Sequence, residues 1–479
     1  MTYRQAVAFL ESRERFGIRL GLANVTRLLA RLGNPEKCLN LKTFHVAGTN
    51  GKGSVARIIA GILTEAGYCT GLYTSPHLID TRERIQVNNQ IISQKDFADL
   101  ISEVAPQVIA LSKFLPHSPT YFETITSAAF LYFARQQVDY AVVEVGMGGR
   151  LDATNVLNPL VSVITPIGLE HRMFLGNSLA AIAGEKAGII KEGRPVVCSP
   201  QASAALKSLR KKAKELSAPF YLTGKDIFFA LSNPMERGPV FPHASPIFSL
   251  SYQDKTISGL TVSLPGSFQV ENVATAWLAL QSAGIKLARL KASHYKTCSA
   301  NLSGSPKGNS YAIKITEEDL RNGLDRIVWP GRLQVVSRKP LIIFDVSHNP
   351  PAIKTLITNL ASLYPGRKVH FIVGVLQDKD YRLMLKYLGE YGKEFIFTRP
   401  DSDRAREPEE LKKVFRRFYP GKKCRVIPES AKAIEEAKKN LGKNGLLCIC
   451  GSFYLAGAIS TVIPACSKRE SRCLACVIS

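Results

Sequence analysis

The sequence predicts an α/β fold in which a mostly parallel sheet domain is followed by a smaller α/β domain, and three observations carry that reading. Short apolar runs such as Leu41 to Val46, Tyr140 to Val145 and Val161 to Thr165 alternate with stretches of helical spacing, the pattern of strands joined by right-handed crossovers. The first run opens into Gly48-Thr49-Asn50-Gly51-Lys52-Gly53-Ser54 and passes directly into the helical Val55 to Leu63. A second series of strand-like runs begins after Trp329-Pro330-Gly331-Arg332. At 479 residues the chain has room for two or three domains, each with a proper core.

The glycine loop sets the chemistry. Glycines let backbone N–H groups turn inward, a helix N-terminus adds positive potential, and Lys52 supplies an ammonium, so the loop suits a triphosphate. It departs from the G-x-x-x-x-G-K-[ST] pattern, because Gly53 stands where a hydroxyl normally touches magnesium. The metal's oxygens then come from Ser54 or from another loop. The alternative is a glycine turn that only packs strand against helix.

Composition narrows the class. Hydrophobic content of 45% and charged content of 21% are ordinary for a globular chain, but 63 basic against 39 acidic side chains leave a formal charge of +24. Such a field draws in nucleic acid, anionic membrane or acidic small molecules. The basic residues scatter at helix-face spacing, as in Lys207, Arg210, Lys211 and Lys212, so no dedicated nucleic-acid role is expected. Ten cysteines without paired spacing, several inside apolar runs, indicate a reducing compartment. No signal-peptide segment precedes the first amphipathic helix and no run is long enough to cross a bilayer, which predicts a cytoplasmic protein without membrane contact, taken as a monomer. The tail Cys473-Leu474-Ala475-Cys476-Val477-Ile478-Ser479 holds both C-x-x-C and C-a-a-X patterns but lacks further metal ligands, and reads as inert.

In chain order, residues 1 to 40 read as mostly helical, with Gly33-Asn34-Pro35 as a stop. Cys69 to Thr74 is a strand running into Thr74-Ser75-Pro76-His77-Leu78, where Ser75 either supplies the missing metal hydroxyl or simply starts a turn. Helices are expected at 95–113 and 121–136, followed by the strand that ends in Glu144. A carboxylate closing a doubly buried strand needs a cation, either a magnesium ion on nucleotide phosphates or a side chain such as Arg150. Past the next strand, His171 is a metal ligand or an ordinary satisfied histidine. Lys186, amid small and apolar residues of a helix at 178–190, is either a neutral amine able to take up carbon dioxide or a snorkelling lysine. Residues 286–315 read as a basic, Ser/Gly-rich surface insertion. A helix at 318–325 and a hinge at 329–332 precede strands at 341–345, 368–374, 394–398, 424–426 and 446–450. His348 and Ser452 fall just past strands, where they either approach substrate or are plain loop residues.

Assembled, these segments resemble the folylpolyglutamate synthase and dihydrofolate synthase family, a branch of the Mur-type ATP-dependent amide ligases. The motifs, in order, are HVAGTNGKGS at 45–54, TSPHL at 74–78, EVGMGGRLDATN at 144–155, ITPIGLEH at 164–171, GEKAGIIK at 184–191, WPGRLQ at 329–334, FDVSHNP at 344–350 and GSFYLAG at 451–457. The resemblance implies a P-loop ATP-binding domain over 1–328, a hinge at 329–332, a Rossmann-like glutamate-ligase domain over 333–465 and a tail at 466–479. It implies phosphate contacts at Gly51, Lys52, Gly53 and Ser54, further nucleotide contacts at Asn272, Arg332 and Asp345, and magnesium ligands at Ser75, Glu144 and His171. The pterin side falls to Phe122, Glu123, Thr124, Ile125, Leu151, Asp152 and Ala153, and Lys186 matches a lysine carried as a carbamate. Departures are Phe268 for a histidine, Val346-Ser347 for Gly-Ala, and Gln377 for a lysine; they touch adenine and glutamate contacts rather than the phosphate or metal groups.

The implied reaction joins L-glutamate to dihydropteroate or to a folate, with ATP forming an acyl phosphate. Lys52, Arg332 and magnesium would stabilise the transferring phosphoryl group, Lys186 would support the metal site, Ser452 would meet substrate and His348 is the candidate base. The rival readings are a ligase of cell-wall precursors and a nucleotide-gated binding protein without turnover.

Overall fold

The computed structural model describes residues 1–14, 17, 19–232, 245–284, 286–288, 314–442 and 445–463. Eight strands form the first sheet: β1 (Thr43–Ala47), β2 (Thr70–Tyr73), β3 (Ile85–Val87), β4 (Gln90–Ile91), β5 (Tyr140–Glu144), β6 (Val161–Ile164), β7 (Val196–Cys198) and β8 (Phe220–Leu222). Their order is β4-β3-β2-β5-β1-β6-β7-β8. All neighbours are parallel except the β2–β3 and β3–β4 pairs. Every residue of β1 and β6 is buried, Thr43, His45 and Ser162 included, because the sheet is covered on both faces.

The carboxyl ends of β2, β5, β1 and β6 lie side by side in the sheet. The four segments that sequence pattern singled out leave from those ends: the Ser75 loop, Glu144, the glycine loop and the Glu170-His171 segment. Helix Lys52–Glu65 follows the glycine loop and is buried from Gly53 to Leu63. One of its faces packs on the sheet and another on helices Phe268–Ser282 and Glu317–Asp325, all within one apolar core that includes Ile58, Ile62, Val273, Trp277, Leu320 and Leu324. A three-stranded antiparallel sheet, Ile227–Leu231, Ile247–Tyr252 and Lys255–Thr261, adds Ile227, Phe248, Leu250 and Leu260 to that core. This sheet was not anticipated from sequence.

The helices expected at 95–113 and 121–136 span Gln94–Ser112 and Tyr121–Arg135. The helix expected over 178–190 is shorter: it covers Leu179–Lys186 and tightens into a 3-10 turn at Ala187–Ile189. There Gly188 lies against the backbone of Arg150, and a Cβ on it would come within 2.3 Å of the Arg150 Cα. Only the flanks of the 286–315 insertion are described, and Lys286–Ala288 pairs in parallel with Lys314–Thr316. The rest of that insertion and the tail with Cys473 and Cys476 lie outside the described residues.

After Trp329 the chain builds a second sheet, with the order Gln334–Arg338, Leu341–Asp345, Gly445–Cys450, Lys368–Val373, Glu394–Arg399, Lys423–Glu429. Five strands are parallel, and the Gln334–Arg338 edge is antiparallel to its neighbour. That edge strand was missed because Pro340 reads as a break where a tight hairpin in fact turns. Asp345 and Cys450 end adjacent strands of this sheet, so the His348 and Ser452 loops leave from one edge of it.

Gly323 is where helix Glu317–Asp325 crosses the phosphate-loop helix, and a Cβ there would sit 2.8 Å from the Ile62 Cα. Gly323→Ala is therefore expected to destabilise the fold by about 1–3 kcal/mol, read as a lower urea midpoint with an unchanged slope.

Candidate active site

The glycine loop is shaped by what surrounds it. Gly48 has φ +149° and a Cβ on it would fall 1.8 Å from the Thr165 hydroxyl; Gly51, at φ +85°, caps the following helix with Asn272 Oδ1 2.9 Å from where its Cβ would be. The Thr49 and Asn50 N–H groups both donate to the Pro166 carbonyl, at 2.9 and 3.2 Å. The Thr49 hydroxyl and the Gly168 backbone also bond to each other. Gly53 has no room for the usual hydroxyl-bearing side chain, since a Cβ there would lie 3.0 Å from the Trp329 ring and 3.4 Å from Glu144 Oε2. Ser54 is buried. Asn272 is buried beside the loop and donates to Gln269 at 2.8 Å.

Lys52, Glu144 and Ser75 converge. Lys52 Nζ is 3.8 Å from Glu144 Oε1 and donates to the Thr49 carbonyl at 3.4 Å. The Ser75 N–H donates to Glu144 Oε2 at 3.2 Å. Burial pushes the Glu144 carboxyl up, while Lys52, the Ser75 N–H, Arg332 and Arg84 act to keep it ionised. The expected side-chain partner Arg150 does not serve Glu144; it pairs instead with Glu185 at 3.2 Å, and its N–H is held by the Glu185 carbonyl at 2.8 Å. Lys186 is buried, not snorkelling, and donates to the Gly48 carbonyl at 2.6 Å. Burial, then the charge of Lys52, lowers its amine to about 7. His171 begins a short helix in the left-handed conformation and is partly buried, with burial lowering its imidazole to about 4 against the pull of Glu170.

The second domain meets this loop through polar bridges. Asn50 and Asn349 exchange side-chain hydrogen bonds at 3.2 and 2.9 Å, and Asn349 also caps helix Pro350–Leu363. Glu170 Oε1 accepts from Lys379 at 2.7 Å and lies 3.1 Å from His348 Nε2 and 3.9 Å from His171 Nε2. Burial works against it, but His348, Lys379 and His171 hold the Glu170 carboxyl well below its ordinary value. His348 Nδ1 faces the Val346 carbonyl at 2.9 Å. Both of its nitrogens thus face oxygen atoms, one from each domain. Asp345 is buried and accepts from the Leu333 and Ser347 N–H groups at 2.8 Å each, one on each oxygen. Arg332 is partly buried over the Phe453 ring at 5.7 Å, and burial lowers its guanidinium against the pull of Asp345 and Glu144. Ser452 is buried and caps the 3-10 turn Phe453–Leu455. Glu170, Lys379 and Asn349 carried no role in the sequence reading. The one available signal was that Glu170 adjoins His171 past a strand, where a carboxylate needs a partner that sequence separation hides.

The pterin-side residues divide. Glu123 is consumed by a capping box with Thr120, accepting from its N–H and hydroxyl at 2.8 and 2.9 Å. Thr124 bonds back to the Thr120 carbonyl and Ile125 is in the core, so these three face the helix interior. Phe122 is partly buried and covers Gly146, where a Cβ would meet its ring at 2.4 Å. Asp152 is buried and accepts from the Met147 N–H at 2.8 Å and from the Thr154 N–H and hydroxyl, whereas Leu151 is 39% exposed. The Thr154 hydroxyl in turn meets His45 Nε2 at 2.8 Å, linking β1 to this loop.

Two α/β sheets bridged by side chains at a glycine loop belong to a nucleotide-dependent enzyme of the Mur ligase type: the Mur ligase middle domain matches residues 46–280 and the Mur ligase glutamate ligase domain matches residues 331–453. The chain is 34% identical over 458 residues to dihydrofolate synthase/folylpolyglutamate synthase of Bacillus subtilis, covering 95% of this chain and 98% of that protein. It is 32% identical over 464 residues to folylpolyglutamate synthase of Lacticaseibacillus casei, covering 96% and 98%. Among solved structures, Mycobacterium tuberculosis folylpolyglutamate synthase complexed with ADP superposes with a TM-score of 0.83 at 28% identity, covering 97% of this chain and 98% of that one. The E. coli protein FolC in complex with DHPP and ADP gives 0.79 at 28% identity, with the same coverage. The chain belongs to the folylpolyglutamate synthase/dihydrofolate synthase family of ATP-dependent ligases.

His45 supplies a pH test of the link between β1 and the 146–155 loop. Burial, then the charge of Lys191, lowers its imidazole from 6.5 to about 3. Between those values the unfolded chain binds a proton that the folded chain refuses, so stability falls as pH drops below about 6.5. Urea midpoints measured from pH 7 to pH 4 should fall less steeply in His45→Asn than in the parent chain.

Proposed function

We propose that this chain joins the α-amine of L-glutamate to the carboxylate of a pterin-bearing acid, either dihydropteroate or the terminal glutamate of a folate. The observation that carries this reading is the convergence of Lys52, Ser75 and Glu144 from one sheet with Arg332 and the His348 loop from the other, around one glycine loop. The relatives' names supply the substrates. In the first half-reaction a carboxylate oxygen attacks the γ-phosphorus of ATP, the bond to the β–γ bridging oxygen breaks, and ADP leaves. In the second, the amine attacks the acyl carbon, the carbon–oxygen bond to phosphate breaks, inorganic phosphate leaves, and a proton passes to solvent. Lys52 and Arg332 place cationic charge on the transferring group in a site with little water, where such charge acts strongly.

Magnesium suits the residues present. The Ser75 hydroxyl and the Glu144 carboxylate are hard oxygen donors brought together by the Ser75 N–H bond, and Mg²⁺ usually takes one or two protein oxygens and completes its shell with phosphate and water. Such an ion would neutralise phosphate charge and orient the γ-phosphoryl group. His171, held neutral by burial, is the proposed further ligand. Lys186 is the proposed carbamate: a neutral amine at neutral pH takes up carbon dioxide, and the carbamate nitrogen keeps an N–H for the Gly48 carbonyl. His348 is proposed to take the amine's proton, with Glu170 3.1 Å from its Nε2. Residues 1–328 and 333–465 are the proposed domains, with closure about 329–332, and Trp329 over Gly53 ties that hinge to the loop. This reading takes the chain as a cytoplasmic monomer that works on small anions, without nucleic acid or membrane.

Mass spectrometry of products from dihydropteroate and tetrahydrofolate, each supplied with ATP and glutamate, tests the reaction. Lys52→Ala and Glu144→Ala should each lower glutamate addition by ~100-fold or more while circular dichroism stays unchanged; a folded Glu144→Ala chain with full turnover would refute its role. With ¹³C-labelled carbon dioxide, a carbamate resonance should be seen above neutral pH, fade as the amine protonates below about 7, and be missing in Lys186→Ala.

A further inference from the structure

Arg84 closes the 3-10 turn Thr81–Arg84 that returns the Ser75 loop to β3. It is only 9% exposed. Its Nε donates to His77 Nδ1 at 2.9 Å, which fixes His77 in the Nε2–H form, and its guanidinium lies 5.1 Å over the Tyr121 ring. Its carbonyl accepts from the Thr74 N–H at 3.1 Å, anchoring the turn beside Ser75. Three separate contacts therefore hold this cation in one orientation.

None of those contacts neutralises it. Among the described residues no carboxylate pairs with Arg84 and no acceptor bonds to its two terminal nitrogens, whereas its neighbour Arg82 is fully paired with Asp80 at 2.8 Å. A guanidinium nine-tenths buried without an anion is costly, and a planar fork with both ends free matches a carboxylate in bidentate fashion. The location narrows the anion. The Arg84 charge acts on Glu144, so the fork lies near the place where the phosphoryl group is transferred. Tyr121 beneath it is followed directly by Phe122, which covers Gly146. Nucleotide phosphates are already served by Lys52 and Arg332, which stand on the glycine loop and on the hinge.

We propose that Arg84, held by His77 and Tyr121, binds the carboxylate of the acyl acceptor and aims its oxygen at the γ-phosphorus. The proposal rests on the ligase reading above and adds to it the residue that selects an acid. A substrate analogue with a carboxamide in place of that carboxylate cannot accept both of the fork's hydrogen bonds.

The test compares binding of the acceptor acid and its carboxamide to the parent chain, Arg84→Gln and Arg84→Lys, with ADP affinity and thermal midpoint measured alongside. The parent should prefer the acid by roughly 10- to 100-fold. Arg84→Gln should lose that preference and raise KM for the acid while ADP affinity stays the same. Arg84→Lys, which keeps a charge but not the fork, should keep part of the preference and carries the test should the glutamine variant fail to fold. An unchanged preference in either folded variant, or a loss confined to ADP binding, overturns the assignment. A parent chain that binds ADP but neither acid nor carboxamide sinks the ligase reading, and this assignment with it.

Discussion

The structure depends on a carboxylate that burial makes expensive and that several positive groups hold in place. Glu144 ends a strand covered on both faces, and only the Lys52 ammonium, the Ser75 N–H and the charges of Arg332 and Arg84 make an ionised group tolerable there. Those groups come from four segments of the chain, so one carboxylate fixes the relative positions of the glycine loop, the Ser75 loop, the turn after it and the hinge. The same crowding explains Gly53. A Cβ at Gly53 would press on the Trp329 ring and the Glu144 carboxylate, so a side chain there would push against both.

A second, partly buried carboxylate does for the domains what Glu144 does for the loops. Glu170 leaves the end of β6 and receives Lys379 and His348 from the other sheet, and the Asn50–Asn349 pair joins the glycine loop itself to the N-terminus of a second-domain helix. Both bridges use residues next to groups assigned to chemistry, His171 and His348 among them. The two bridges thus tie the glycine loop and the Glu170-His171 segment of the first sheet to the second sheet.

Much of the fold was legible because it rests on local rules. The strands that build the two parallel sheets are short and largely apolar, their helices have capping residues such as Thr120 and Ser93, and the glycine loop announces where β1 ends. The antiparallel sheet at 227–261 was not read: its strands carry exposed residues on one face, as at Phe228 and Ala230, and a core formed by distant helices receives the other face. The site was read in outline through motifs. Glu123 caps a helix start and Asp345 accepts from the backbone of its own loops, pairings that the motifs do not reveal.

The amino-acid sequence by itself determined most of the parallel strands and the helices between them, the glycine loop and the family, because periodicity, glycine placement and contiguous motifs are properties of neighbours along the chain. Only the tertiary structure decided who pairs with whom: Glu144 with Lys52 instead of Arg150, Glu170 with His348 and Lys379, Lys186 with the Gly48 carbonyl, and Arg84 with no anion of its own. The physical reason is that the cost of burying a charge is set by everything within a few ångströms of it in space, and those groups are separated along this chain by up to 209 residues.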